Sequence, residues 1–450
     1  MENQCTTVSL VDELENIDEI ITEIPNLGRP TVPSPLQKRS YPCFVRDEDK
    51  VLLLVSSQRV AASCKKGSLP AFELAGPREN IYFDPSKTKC AIVTCGGLCP
   101  GINDVIRSIV MALFHGYGVR TILGIKFGLR GFIPSYGLDV MELTPESVAR
   151  IHEYGGTILG SSRGPQPAEE IVNALERMNV SVLFTIGGDG TFRASRKIVE
   201  EIKKRGLKIS VIAVPKTIDN DIFLVEKTFG FDTAVEMACE AIKSAHTEAI
   251  GAPNGIGLVK LMGRYSGFIA AAATIALREV NYCLIPESDF DLEGEKGLLR
   301  ELEKRLDQRG HAVIVAAEGA GQKFFADQPK ETDASGNVKL GDIGKFLKEK
   351  IQEYFVSLGK ELNIKYIDPS YIIRSVPANV DDSLYCGNLG QNAVHAAMAG
   401  KTDMMVSLWN DRYVHIPLES ATMHRKQVNL KSMFWMSVLE STGQPSLKNE

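Results

Sequence analysis

The chain has 450 residues, 44% hydrophobic and 24% charged, which is ordinary globular usage and more length than one core normally serves. With 51 basic and 56 acidic residues, a formal net charge of -5 argues against a broadly basic nucleic-acid or membrane surface and leaves room only for local basic pockets. The longest apolar stretches, such as Phe268–Leu277, fall far short of a membrane span.

From the N-terminus, residues 1–30 hold seven acids and one base, Arg29; without them the body carries 50 basic and 49 acidic residues. Pro30 to Pro42 reads as an extended linker, and Val51 to Asn80 as loosely organised structure packed on the main body. Met1 to Asp12 lacks the charged-then-apolar order of a secretory signal, and the last five residues are no peroxisomal address. Nine cysteines are scattered without a CxxC pair, so reduced thiols rather than zinc or disulfides are expected. Together these features predict a cytoplasmic protein.

Beyond Lys89 one pattern repeats: an apolar run, a glycine-rich or charged turn, then a helical segment. Cys90–Cys95 leads into Gly96-Gly97-Leu98-Cys99-Pro100-Gly101 and a helix from Ile102. Ser181–Ile186 leads into Gly187-Gly188-Asp189-Gly190-Thr191 and a helix over Phe192–Arg205. Ile209–Val214 leads into Pro215-Lys216-Thr217-Ile218-Asp219-Asn220-Asp221. A second set follows, with Gly257–Leu261 before Met262-Gly263-Arg264, Tyr282–Ile285 before Pro286-Glu287, and Ala312–Ala317 before Glu318-Gly319. Alternating strands and helices predict parallel sheets covered on both faces, with ligands at the carboxyl ends of the strands. The polar segment Gly321–Gly341 reads as a surface loop.

Three turns of the first set can carry chemistry. The glycines at 96–101 let backbone N–H groups approach an anion at a helix N-terminus, although alone the motif reads equally as a tight turn. Asp189, among glycines at a strand end, can hold Mg²⁺ beside phosphate oxygens; the competing reading is a helix cap. The turn at 215–221 supplies an amine, a hydroxyl and two carboxylates, so Asp219 or Asp221 can accept a hydroxyl proton and Lys216 can neutralise a phosphate; a solvated charged loop is the plain alternative. An anion turn, a metal-binding acid and a base on strand ends of one sheet are the parts that phosphoryl transfer needs.

These motifs, with Gly160-Ser161-Ser162-Arg163 and the run Tyr366-Ile367-Asp368-Pro369-Ser370-Tyr371-Ile372-Ile373-Arg374, closely resemble the 6-phosphofructokinases over roughly residues 80–440. Their texture is similar to the plant and trypanosomatid branch of ATP-using enzymes. The resemblance implies an α/β fold of two facing Rossmann-like α/β/α domains with an N-terminal extension and the active site between them. It places an extension at 1–80, a nucleotide-binding domain at 81–235 with about 386–420, a sugar-phosphate domain at 236–385, and a C-terminal segment at 421–450. It implies transfer of the ATP γ-phosphoryl to the 1-hydroxyl of fructose 6-phosphate, with Asp219 as general base and Mg²⁺ at Asp189. Lys216, Thr217, Asp221 and Arg264 match neighbouring catalytic groups. Gly97, Arg163, Gly188, Asp189, Gly190 and Thr191 match nucleotide contacts, and Thr217, Asp219, Met262, Gly263, Arg264, Glu318, Tyr371 and Arg374 match sugar-phosphate contacts. Family members are usually homotetramers.

Two positions bear on the phosphoryl donor. A bulky acid after Gly-Gly-Asp accompanies pyrophosphate use in the family, and here Gly190 leaves room for the α-phosphate of ATP. Lys216 occupies a position where pyrophosphate enzymes also carry lysine. Steric exclusion is the harder constraint and favours ATP, with pyrophosphate as the alternative. Gly-Gly-Asp-Gly-Thr also resembles NAD and diacylglycerol kinases, which lack the 215–221 and Met-Gly-Arg motifs. A regulatory subunit that has lost its chemistry is the non-enzymatic alternative, and the intact Asp189, Asp219 and Asp221 speak against it.

Overall fold

The computed structural model of the chain describes residues 19–39, 43–67, 69–327, 331–332 and 338–449. The first 18 residues, and with them most of the acidic N-terminal stretch, lie outside the described residues. Strands follow in chain order: β1 Val32–Pro33, β2 Lys50–Leu52, β3 Ala71–Leu74, β4 Asn80–Ile81, β5 Lys89–Thr94, β6 Thr121–Ile125, β7 Val140–Glu142 and β8 Val182–Gly187. The rest are β9 Ser210–Pro215, β10 Gly255–Leu261, β11 Tyr282–Leu284, β12 His311–Ala317, β13 Asn363–Ile367, β14 Met404–Trp409 and β15 Arg412–Pro417.

Two sheets organise the molecule, as expected of two α/β units. The larger has nine strands in the order β2-β3-β15-β14-β9-β8-β5-β6-β7, and the smaller four in the order β11-β12-β10-β13. The small sheet is wholly parallel. The large one is mixed: β14, β9, β8, β5 and β6 run parallel, and antiparallel strands flank them on both edges. All six residues of both β8 and β9 are buried, which is why the sequence reads there as unbroken apolar runs. In the small sheet the side chains alternate. Ile256, Leu258, Ile314 and Ala316 join a cluster with the helices Leu298–Arg309 and Ile343–Ser357, whereas Val259, Leu261, Val313 and Val315 join the main core with the helix Phe231–Ile250.

One segment departs from expectation. Residues 51–80 are regular rather than loose, since β2 and β3 extend the large sheet through β15 and a helix spans Ser57–Lys66. Period reading misses them because the strands are only three and four residues long. The polar loop after Gly319 carries a short 3-10 turn at Gln322–Phe325. The chain beyond Ala421 returns to the small-sheet side, where Phe434 packs on Phe268 and the carbonyl of Leu447 accepts from Asp291 N–H at 2.7 Å. The helix Val380–Met398 leads into β14, which pairs in parallel with β9 of the large sheet. No helix among the described residues is long and apolar enough to cross a membrane. The eight described cysteines are free thiols.

Candidate active site

The carboxyl ends of β5, β8, β9, β10 and β12 bring the singled-out turns into contact with one another. After β5, Gly96 and Gly101 have φ of 87° and 93°, and a Cβ on Gly101 would sit 2.5 Å from the Cys386 sulfur. The turn is tied to the 160–163 motif: Gly96 N–H donates to Ser162 O at 3.0 Å, and Ser161 Oγ donates to Gly96 O at 2.7 Å. The guanidinium groups of Arg163 and Arg374 converge on Gly97, where a Cβ would lie 3.3 and 3.4 Å from their nearest nitrogens. Arg374, matched in sequence to the sugar-phosphate side, therefore stands beside a residue matched to the nucleotide.

After β8 the helix begins at Asp189, three residues before its expected start, and extended Gly188 is its N-cap. Asp189 thus lies in the first turn, where its charge suits the helix dipole, and is not the cap. Its carboxylate meets Arg193 at 3.0 Å one turn on. A Cβ on Gly190 would meet nothing within 4 Å, so that position opens onto free space. Thr191 is buried behind it.

After β9, Lys216 is buried and Nζ donates to Gly97 O at 2.8 Å. Burial is the main force pushing its pKa down. Thr217 Oγ1 accepts from Asp219 N–H at 3.1 Å and its side chain also hydrogen-bonds to Asp221. Asp219 faces the second half of the molecule: Ser266 Oγ donates to its carbonyl at 3.0 Å, and Arg264 N–H to its carboxylate. Burial first, then the charges of Asp221 and Glu318, push the Asp219 carboxyl well above the usual range. Asp221 shifts the same way, with burial dominant and Arg425 opposing it.

From the small sheet come the Met262–Arg264 turn and Glu318, joined by Glu318 N–H to Leu261 O at 2.9 Å and Gly319 N–H to Gly263 O at 3.0 Å. Glu318 is raised by burial, with Arg264 and Lys260 pulling the other way. Met262 packs on the main core rather than projecting a functional group. Tyr371 is 74% exposed and reaches the site only through its ring, 4.9 Å from the Arg374 guanidinium.

Of nine buried side-chain polar atoms without a hydrogen-bond partner among the described residues, three belong to these turns: Asp219 Oδ1, Arg264 Nε and Arg374 Nε. Such atoms are rare in folded proteins, and one acceptor grouped with two cationic donors fits a ligand bearing a hydroxyl and anionic oxygens. Sequence reading missed Arg425, which contacts Asp189 and Asp221, and Lys260, which holds Asp368 at 2.8 Å and Asp342 at 3.3 Å. Arg425 lies in no glycine turn or strand-end motif, so no local signal marks it, whereas Lys260 is the one charge in the apolar strand just before the Met262–Arg264 turn.

Among the described residues no three His, Cys, Asp or Glu side chains form a metal cluster. The acids present are oxygen donors: Asp189, with Asp221 joined to it through Arg425. One or two carboxylates without a full protein cage suit Mg²⁺, which keeps waters and shares phosphate oxygens.

Residues 89–397 match the family model described as phosphofructokinase. An ATP-dependent 6-phosphofructokinase of Borreliella burgdorferi is 57% identical over 384 residues, covering 84% of this chain and 86% of that protein. ATP-dependent 6-phosphofructokinase 4, chloroplastic, of Arabidopsis thaliana is 46% identical over 442 residues, covering 96% and 82%. The ATP-dependent 6-phosphofructokinase of Trypanosoma cruzi is 46% identical over 374 residues, covering 82% and 76%. Among solved structures, a pyrophosphate-dependent phosphofructokinase from Marinobacter aquaeolei superposes with a TM-score of 0.65 at 19% identity, over 80% of this chain and 92% of that one, a likeness of fold.

Proposed function

The chain belongs to the phosphofructokinase family, and on that premise we propose that it transfers the terminal phosphoryl group of ATP to the 1-hydroxyl of fructose 6-phosphate, giving fructose 1,6-bisphosphate and ADP. The observation that carries this reading is the partnerless trio of Asp219 Oδ1, Arg264 Nε and Arg374 Nε. Asp219 Oδ1 accepts the hydroxyl proton as the sugar oxygen attacks the γ-phosphorus and the bond to the ADP oxygen breaks. Arg264 stands next to that carboxylate, its backbone N–H bonded to it, and offers charge to the transferring phosphoryl. Lys216 and Arg163 flank Gly97 and serve the donor phosphates, while Glu318 accepts from sugar hydroxyls and Arg374 clamps a phosphate with its planar fork. When bound at Asp189, Mg²⁺ supplies charge neutralisation to the donor phosphates.

The large sheet binds the nucleotide and the small one the sugar phosphate, in a homotetramer of the cytoplasm acting in glycolysis. In that assembly Tyr371, exposed on its own chain, completes a neighbouring subunit's phosphate site. The open space at Gly190 favours ATP over pyrophosphate as donor. The deciding experiment gives the purified enzyme fructose 6-phosphate and Mg²⁺ with either ATP or pyrophosphate and measures fructose 1,6-bisphosphate. Product with ATP alone is expected; product with pyrophosphate alone reverses the donor assignment, and none with either removes the activity.

A further inference from the structure

The stretch Arg425–Val428 lies beyond the matched residues 89–397, in a segment for which the sequence offers no role. It is nevertheless fastened to both halves of the site. Arg425 pairs with Ile222 as an isolated antiparallel bridge, and Lys426 N–H donates to Asp221 O at 3.0 Å. The buried Lys426 ammonium donates to Val225 O at 2.9 Å and Glu226 O at 2.7 Å. On the other side Gln427 Nε2 donates to Tyr265 O at 3.0 Å, and Val428 N–H to Glu287 Oε1 at 2.7 Å, an oxygen shared with Gly267 N–H. A segment held at four successive residues, three of them through the backbone, presents the Arg425 side chain from a fixed base.

That side chain ends among the transfer residues. Its guanidinium carbon lies 4.0 Å from the centre of the Tyr265 ring, next in sequence to Arg264. Its two terminal nitrogens stand 3.5 Å from Asp189 Oδ2 and 3.6 Å from Asp221 Oδ2. These separations give charge pairing but are too long for good hydrogen bonds, and none is formed by this guanidinium among the described residues. With its side chain 34% exposed, the fork keeps its N–H donors for a ligand. Two carboxylates beside the donor site repel a polyphosphate, and Arg425 is the guanidinium that stands between both of them, whereas Arg193 reaches Asp189 alone among the described residues.

We propose that Arg425 is a phosphate-binding residue of the transfer site, its guanidinium taking oxygens of the donor's terminal phosphates while Tyr265 fixes its plane. The inference rests on the phosphotransferase reading above. Stacking plus a rigid fork is what distinguishes arginine from lysine at such a position. The C-terminal segment is then part of the active site, and the two halves of the cleft share one cation.

The test compares Arg425→Gln and Arg425→Lys with wild type in the full chain, by calorimetric titration of ADP with and without Mg²⁺, steady-state kinetics and thermal melting. For Arg425→Gln the expected results are ADP binding weakened about tenfold, kcat lowered about 100-fold, the fructose 6-phosphate KM within about twofold, and an unchanged Tm. Arg425→Lys should restore part of the ADP affinity and little of the turnover. Wild-type ADP affinity and kcat in the glutamine variant overturn the proposal, as does a lowered Tm with turnover rescued fully by lysine, which marks a structural role. The ADP titration needs no sugar chemistry. A wild-type protein that binds ADP yet makes no bisphosphate sinks the proposed reaction and leaves the Arg425 result readable.

Discussion

Lys216 Nζ donates to the carbonyl oxygen of Gly97 at 2.8 Å, joining two turns that lie 119 residues apart in sequence. One lysine thereby fixes the height of the glycine turn against the base-bearing turn while holding a positive charge under both. A Cβ on the other glycine of the pair, Gly96, would lie 3.6 Å from the same ammonium, so the loop backbone wraps closely round it. The ammonium is desolvated, which costs free energy, and a buried cation is retained where nearby negative charge offsets that cost. Asp219 offers part of that charge, and donor phosphates would add the rest.

Replacing Lys216 with Met keeps the apolar stem and removes both the bond to Gly97 and the charge. The expected outcome is an ATP KM raised about tenfold with a lowered kcat, since a charge-assisted hydrogen bond in a dry site is lost. The fructose 6-phosphate KM should move less than about twofold. Initial rates over a grid of both substrates check this, and an effect confined to the sugar would show that Lys216 serves the acceptor side.

Gly190→Asp tests the donor assignment. The vacant space around Gly190 means that the new side chain meets no protein atom at its Cβ, so the variant should fold with the wild-type Tm. In the proposed complex that space receives the α-phosphate, where a carboxylate both blocks and repels. ATP turnover should fall by at least about 100-fold while ADP and ATP binding weaken in parallel, read by calorimetry. Retained ATP use would show that the nucleotide takes another path across the helix N-terminus.

How much of this was legible in the sequence depends on the physical origin of each feature. The all-buried strands β8 and β9 announce themselves as apolar runs, and their polar turns must follow at the sheet edge, so Asp189, Lys216, Thr217, Asp219 and Asp221 were readable together. The short edge strands β2 and β3 were not, because three or four residues carry no period and their place depends on β15, far along the chain. Nor was Arg425, whose place beside Asp189 and Asp221 follows from a backbone bridge to Ile222 rather than from its neighbours in sequence. Tyr371 shows a different limit: the motif that makes it a candidate carries no information on burial, and its own chain leaves it exposed.

The N-terminal region is tied to the sheet by a buried charge network, which gives a stability prediction. Glu73 on β3 meets Arg78 at 2.7 Å, Lys401 at 2.9 Å and His415 at 3.0 Å. Burial alone would raise its pKa, but the hydrogen bonds and charges of His415 and Lys401 win and lower it to about 2. A carboxylate with a depressed folded pKa contributes stability that is fully present above its unfolded value of 4.5 and lost as pH falls toward 2. Glu73→Ala leaves Arg78 and Lys401 buried with less compensation and should cost roughly 3 kcal/mol at pH 7. Urea titrations at pH 7 and pH 3 check both points: the gap between wild type and variant should narrow at the lower pH, and an equal gap would mean that the ion pairs contribute little.

Asp219 makes the opposite prediction, because its carboxyl is raised and not lowered. The folded protein binds its proton more tightly than the unfolded chain, whose value is near 3.8, so this group erodes stability as pH climbs from there toward its folded pKa. Asp219→Asn has the same shape and no charge to desolvate. Its Tm should exceed that of wild type by a few degrees at pH 8 and by less at pH 5, the pattern of an active-site residue held at the expense of stability. The same raised pKa governs turnover, since only the ionised carboxylate can take the hydroxyl proton. In wild type kcat/KM for fructose 6-phosphate should therefore climb with pH through a limb lying above the ordinary carboxylate range. Asp219→Ser should lower turnover by orders of magnitude while ADP titrations stay close to wild type, because in the proposed reaction Oδ1 serves the acceptor hydroxyl and not the donor. A pH-independent kcat/KM in wild type, or near-normal turnover in the serine variant, would move the base to Asp221, the neighbouring carboxylate with the same direction of shift.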